Sequence, residues 1–268
     1  MKFIFGTNIK KTLVRVFLIV LFSYVFFGIV MLFFQRDLIY YPTDKDFWTC
    51  NVSDTSAKKV EINGERGLLS KGTTDRIIIF YHGNQDSACN WRYIPNHFGF
   101  AGDTTLVLEY PGYAGDDREI TKENLFAHVD QVHAWLETQE YKEVYLVSYS
   151  IGGALASYHA SLGADKLLMF APFDSLINVI WDKHLYYPEW MLYDDYNNTE
   201  LLLQSDLDQL LIMHGGKDTV IDQKRSVRLA QQLNRKIKVD RIVVPDAGHQ
   251  NLLQGNPFNK IIDQFLLQ

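Results

Sequence analysis

The chain has 268 residues, of which 47% are hydrophobic and 22% charged, enough apolar content for one sizeable core and too balanced a mixture for a low-complexity or disordered protein. The formal net charge is −6, and residues 1–15 hold Lys2, Lys10, Lys11 and Arg15 without an acid, so the rest is more acidic still. An acidic body repels phosphate backbones, which argues against nucleic acid as a partner. Cys50 and Cys89, the only cysteines, match no metal-ligand spacing; one disulfide and two free thiols are both compatible with the sequence.

Val16 to Phe34 is a run of nineteen residues without a charge. As a helix it would measure about 28 Å, close to the hydrocarbon thickness of a bilayer. A cleaved signal peptide would have a shorter apolar region ending in small residues, whereas this one ends in Phe33, Phe34, Gln35 and Arg36. Residues 1–35 are therefore expected to form a tail and an uncleaved transmembrane anchor. Lys10, Lys11 and Arg15 precede the run, while Arg36 after it is offset by Asp37. The positive-inside rule then expects a cytoplasmic N-terminus and a body on the extracytoplasmic, periplasmic or lumenal, side.

From residue 59 the pattern changes. Asn63-Gly64 lies between two short strand-like runs and predicts a hairpin turn. Six apolar runs follow, at 76–81, 104–110, 143–149, 166–171, 209–214 and 240–245. Their uniform apolarity predicts parallel strands buried on both faces. Helical periodicity falls between them, over residues 121–138, 151–162, 223–233 and 259–267. This alternation predicts an open α/β fold with a mostly parallel central sheet flanked by helices.

In such sheets ligands bind beyond the carboxyl ends of the strands. Those ends read HGN (82–84), PGYAGDD (111–117), SIGG (150–153), PFDS (172–175), HGGKD (214–218) and DAGH (246–249). Ser150 sits between a strand and a helix in S-x-S-x-G, a variant of the G-x-S-x-G elbow with Ser148 in place of the first glycine. His249, after Gly248 near the C-terminus, is the best-placed base of eight histidines. His128, His133 and His159 fall in helices, His97 and His184 in connections, and His214 leads the acid loop. The acid is expected between serine and histidine; Asp218 fits best and Asp174 is its rival. Asn84, after a tight glycine turn, and the amide of Ile151 are the expected oxyanion donors, with His82 fixing the loop.

The ordered set HGN, EYPGY, S-x-S-x-G, HGxxD and GH, each after an apolar strand, resembles the α/β-hydrolase superfamily, and within it the membrane-anchored abhydrolase-domain serine hydrolases. The resemblance covers residues 36–268. It implies an α/β-hydrolase fold behind an N-terminal transmembrane helix, a Ser150–Asp218–His249 triad and an oxyanion hole at Asn84 and Ile151. Such a triad is expected to work through an acyl-enzyme, with no cofactor and no metal, on carboxylic esters or thioesters. Residues 177–208 hold Trp181, Tyr186, Tyr187, Trp190, Tyr193 and Tyr196. They are expected to form a small aromatic lid, which suits a lipid-like acyl substrate; the plainer expectation is that these rings pack a helical excursion onto the sheet. A serine peptidase and an inactive anchored scaffold are the competing functions.

Overall fold

The computed structural model describes residues 9–96, 102–254 and 259–267; His97 lies outside them. The helix α1 (Ile9–Ile39) contains the whole uncharged run and is long and apolar enough to cross a bilayer. Its side chains are almost all exposed up to Phe27, but Gly28 and Gln35 are buried against the body.

The body is built on one eight-stranded sheet: β1 (Lys58–Ile62), β2 (Glu65–Ser70), β3 (Arg76–Tyr81), β4 (Thr104–Leu108), β5 (Glu143–Tyr149), β6 (Lys166–Phe170), β7 (Gln209–Gly215) and β8 (Lys238–Val244). The spatial order is β1-β2-β4-β3-β5-β6-β7-β8. β1 and β2 pair antiparallel across the Asn63-Gly64 turn, where both residues have positive φ, 49° and 84°. That is the geometry whose twist matches a hairpin. β2 joins β4 antiparallel, and all later pairings are parallel. The chain reverses its walk at β3: β4 lies on one side and β5 on the other, which opens a crevice at the carboxyl end of β3.

The central strands are apolar throughout because both faces are covered. Ile77, Ile79 and Tyr81 point toward α2 (Lys122–Leu136), α3 (Gly152–Leu162) and α6 (Lys224–Leu233). Ile78 and Phe80 point toward the opposite layer, made by Phe47, Ala57 and α7 (Asn259–Leu267) through Ile262 and Phe265. Each such fully buried aliphatic contributes roughly 1.5–3 kcal/mol. The expectation of burial on both faces fails at β8: its residues are exposed or half-buried. It pairs only with β7, so it is an edge strand with one face and one side open.

Cys50 and Cys89 are disulfide-bonded, tying the segment after α1 to the turn that follows HGN. The 177–208 segment is only partly helical, with α4 (Leu176–Asp182), a single 3-10 turn at Glu189–Met191 and α5 (Asn198–Gln204). Its aromatic residues divide. Tyr196 is buried and hydrogen-bonds the Tyr40 hydroxyl at 2.6 Å. Tyr187 stacks on Tyr24 of α1, while Trp181, Tyr186, Trp190 and Tyr193 are exposed.

Candidate active site

Ser150 follows β5 directly and has φ = +54°, a left-handed backbone that a residue with a Cβ seldom adopts. The turn is held on both sides. The Ser150 amide donates to Phe170 O at 2.9 Å, and the Gly153 amide donates to Ser150 O at 3.0 Å. Gly152 is required for steric reasons: a Cβ there would lie 2.4 Å from Tyr81 O and 2.5 Å from His82 O. Ser148, where the motif has its first glycine, is fully buried, and its hydroxyl has no hydrogen-bond partner among the described residues.

The structure brings Ser150, His249 and Asp218 together. Ser150 Oγ lies 3.0 Å from His249 Nε2, and His249 Nδ1 lies 2.7 Å from Asp218 Oδ2. Two loops that are distant in sequence meet because Gly215 and Gly216 let the backbones cross. A Cβ on either would lie 2.5 Å from Ala247 O or 2.6 Å from Pro245 O. The crossing is fixed by Lys217 N donating to Ala247 O and Gly216 N donating to Val244 O, both at 2.8 Å. The Tyr149 hydroxyl donates to the His249 carbonyl and anchors the base loop from the strand that carries the serine.

The Asp218 side chain is fully buried and its carboxylate is saturated. Its Oδ1 accepts the amides of Val220 and Ile221, each at 2.9 Å. Its Oδ2 faces His249 and, at 3.3 Å, Nε2 of His214. Burial pushes the carboxyl pKa upward, but the hydrogen bonds from His214, His249 and the backbone outweigh it and hold the group below the usual carboxylate range. Asp218 is thus an anion that keeps the His249 ring oriented, with Nδ1 protonated and Nε2 free to accept from the serine. His214 is a positioning residue that sequence reasoning passed over. It donates from Nε2 to Ile221 O at 2.9 Å beneath the acid loop, and its i, i+4 spacing to Asp218 was the available signal.

Asp174, the rival acid, lies elsewhere. Its carboxylate accepts from Asn178 at 2.8 Å and faces Arg225 at 3.4 Å. Asp246 is on the surface with Lys217.

The expected oxyanion residues need one refinement. The Asn84 side chain is committed to the end of α1. Its Nδ2 donates to Ile39 O at 2.6 Å, and its Oδ1 accepts from Tyr41 N at 2.8 Å and the Tyr113 hydroxyl at 3.0 Å. The Asn84 side chain is thus unavailable as an oxyanion donor, which leaves its backbone amide as the candidate. The loop beneath is braced by His82, whose Nδ1 lies 2.8 Å from Gly83 O and whose Nε2 lies 3.3 Å from buried Glu109. Glu109 also accepts the Ala88 amide at 2.9 Å. Burial draws the His82 pKa down, but the Glu109 carboxylate more than compensates and the net direction is upward.

A cavity of about 800 Å³ opens over the serine. Ser150, Ile151, Asn84 and His249 form its polar end. Its apolar lining includes Phe173, Leu176, Val179, Ile180, Leu185 and Leu192. The aromatic residues expected to line a lid do not face it; the 177–208 segment contributes aliphatic side chains instead. The lining also includes Met31, Leu38 and Ile39 from α1.

Comparison with known proteins agrees with this layout. The family model described as alpha/beta hydrolase fold matches residues 76–175, from β3 through the serine turn to the start of α4. An uncharacterized protein of Mycobacterium tuberculosis, Rv2307c, is 23% identical over 265 residues, covering 90% of this chain and 91% of that protein. The esterase Pf2001 of Pyrococcus furiosus superposes with a TM-score of 0.68 at 17% identity, over 85% of this chain and 97% of that one. Acetyl xylan esterase 1 of Thermoanaerobacterium superposes with a TM-score of 0.61 at 18% identity, over 76% of this chain and 78% of that one. With this sheet order and this serine turn, the chain has the α/β-hydrolase fold, and residues 76–175 match the model of that fold.

Proposed function

We propose that the protein is a membrane-anchored serine hydrolase that cleaves carboxylic esters or thioesters of lipid-like acids. The observation that carries the reading is the continuous hydrogen-bonded line from Ser150 through His249 to a buried, anionic Asp218 at the polar end of an apolar cavity. In the first half-reaction, His249 Nε2 takes the Ser150 proton as Oγ attacks the acyl carbonyl. Negative charge on the carbonyl oxygen is met by the Asn84 and Ile151 amides, which donate to no protein acceptor among the described residues. His249 then hands its proton to the leaving alcohol or thiol. Water, deprotonated by the same ring, releases the acid and restores Ser150.

Several features support the apolar substrate and the anchor. The cavity falls within the ~300–1,000 Å³ common for small-molecule sites, and its walls are mostly apolar. Both superposed proteins named above are esterases by their descriptions. Helix α1 keeps specific contacts with the body, which a cleaved leader would forfeit. The basic residues before the uncharged run favour an extracytoplasmic body, and a disulfide suits an oxidising compartment.

Labelling with a fluorophosphonate, beside hydrolysis of p-nitrophenyl butyrate, tests the reading. Wild type is expected to label and turn over, while Ser150→Ala does neither and stays folded. Equal labelling of the two would leave an inactive scaffold as the function. Hydrolysis of peptide amides in preference to esters would make it a peptidase.

A further inference from the structure

Helix α1 does more than lead into the body. Tyr24, Gly28, Met31, Gln35 and Ile39 lie four, three, four and four residues apart, so they form one stripe along the helix. That stripe meets the segment 183–194. The Tyr24 hydroxyl donates to Tyr186 O at 2.8 Å, and its ring stacks on Tyr187 at 4.9 Å. Gly28 leaves just enough room for the Tyr187 ring; a Cβ there would lie 3.0 Å from it. Gln35 is buried within an otherwise apolar surface and fully paired with backbone. Its Nε2 donates to Met191 O at 3.1 Å, and its Oε1 accepts the Tyr193 amide at 2.7 Å. Arg36 closes the contact on buried Asp194 at 2.9 Å.

From Tyr24 to Arg36 this contact runs about 18 Å along the helix axis. More than half of the uncharged run is therefore accompanied by protein. If the run spans a bilayer, residues 184–193 lie beside it within the adjoining leaflet. Their composition suits that place: HLYYPEWMLY has one formal charge, Glu189, and exposes Leu185, Tyr186, Trp190 and Tyr193. Between this segment and α1 lies the cavity over Ser150, walled by Met31, Leu38 and Ile39 on one side and Leu185 and Leu192 on the other. Leu38 and Leu185 line it while 50% and 42% exposed, so the cavity is open on this side.

We propose that α1 is a wall of the substrate site, and that a membrane-resident acyl chain enters the cavity sideways from the leaflet, past Leu38 and Leu185 at the edge of the contact between α1 and the 183–194 segment. The inference rests on the serine-ester reading for its chemistry, but the binding geometry can be tested without turnover. The occupant is the hydrocarbon chain of a lipid ester: an opening at leaflet depth admits a chain already dissolved in the bilayer. The site also joins the anchor to the oxyanion loop, since Asn84 grips Ile39 O and Tyr41 N at the end of α1.

Two measurements decide it, both on the full chain in phosphatidylcholine vesicles. In the first, Met31→Trp narrows the cavity, and Phe33→Trp, 80% exposed and on the opposite side of the helix from Met31, is the control. Met31→Trp is expected to lower the ratio of kcat/KM for p-nitrophenyl laurate over acetate by about tenfold or more, with Phe33→Trp at the wild-type ratio. An unchanged ratio with Ser150-dependent turnover overturns the inference and leaves the proposed function standing. The second uses Ser150→Ala, so that turnover plays no part, in vesicles holding a phosphatidylcholine with a terminal diazirine on one acyl chain. Photo-adducts are expected on the deep lining residues Phe173, Leu176 or Val179, and are reduced several-fold in the Met31→Trp, Ser150→Ala double variant. Adducts confined to outward-facing Phe22, Phe26 and Phe33 would show that the chain stays outside, whatever the enzyme hydrolyses.

Discussion

Replacing Gly152 by alanine adds one methyl group and should disable the site. The backbone at 152 is not left-handed, so the substitution brings no φ strain and its effect is purely steric. The new Cβ would meet Tyr81 O at 2.4 Å, His82 O at 2.5 Å and the Tyr81 carbonyl carbon at 2.8 Å. All three atoms are backbone and none can rotate away. Restoring an ordinary contact of 3.4 Å from the first would separate the end of β3 from the start of α3 by about 1 Å. These are the two segments that carry the proposed oxyanion donors, Asn84 after β3 and Ile151 before α3. Overpacking of this kind costs about 1–3 kcal/mol of stability. A misplacement of about 1 Å at a reacting centre costs on the order of 100-fold in rate. Gly153→Ala is the internal control. Its Cβ would meet Met169 Cε at 2.8 Å, the free end of a flexible side chain that can move. The assay is kcat/KM for p-nitrophenyl butyrate with circular dichroism as a check on folding. Gly152→Ala is expected to fall about 100-fold and Gly153→Ala to stay within about threefold. A folded Gly152→Ala variant with wild-type kcat/KM would refute the steric account of the elbow.

Two other predictions follow from the charged and titrating groups. Asp218→Asn should lower kcat about 10³- to 10⁴-fold, because the amide no longer enforces the His249 tautomer that accepts the serine proton; Asp174→Asn, whose carboxylate meets Asn178, Arg225 and Arg228 away from His249, should keep kcat within a fewfold, and the reverse order would reassign the acid. His159 is fully buried, and its pKa is pulled down to about 3 by burial and by the neighbouring His133 and His128. It stays neutral in the fold but protonates in the unfolded chain below its ordinary value of about 6.5. The unfolded state therefore binds more protons between about 6.5 and 3, so stability is fully present above that window and drains away as pH falls through it. Urea midpoints measured from pH 7 to pH 4 should fall more steeply for wild type than for His159→Gln; parallel curves would remove this group as the cause.

Much of the fold was legible because its signals are local. A strand buried on both faces must be apolar at every position, so β3 to β7 stand out as uninterrupted runs. The Asn63-Gly64 turn is legible because few residues tolerate two successive positive φ values. β8 was misjudged, since its Ile242, Val243 and Val244 read as core although an edge strand leaves them half-exposed. The aromatic stretch at 181–196 misled for a similar reason. A ring in sequence carries no label for what it faces, and here most of these rings turn toward α1 or outward and not toward the serine.

The candidate site divides along the same line. Ser150, Asp218 and His249 could be picked out because each follows a strand in a parallel sheet, and parallel strands deliver their ends to one edge. Chain order and small flanking residues supplied the rest. The sequence by itself therefore determined the sheet, the elbow, the candidate serine and histidine, a choice between two acids, and a helix able to span a bilayer. Only the tertiary structure decided between Asp218 and Asp174, enlisted His214, committed the Asn84 side chain to α1, bonded Cys50 to Cys89, and made the apolar N-terminal helix part of the cavity wall. The reason is physical. Periodicity reports how a residue relates to its own helix or strand, whereas these outcomes, except for the short-range contact of His214, depend on contacts between segments 30 to 160 residues apart, which no local pattern encodes.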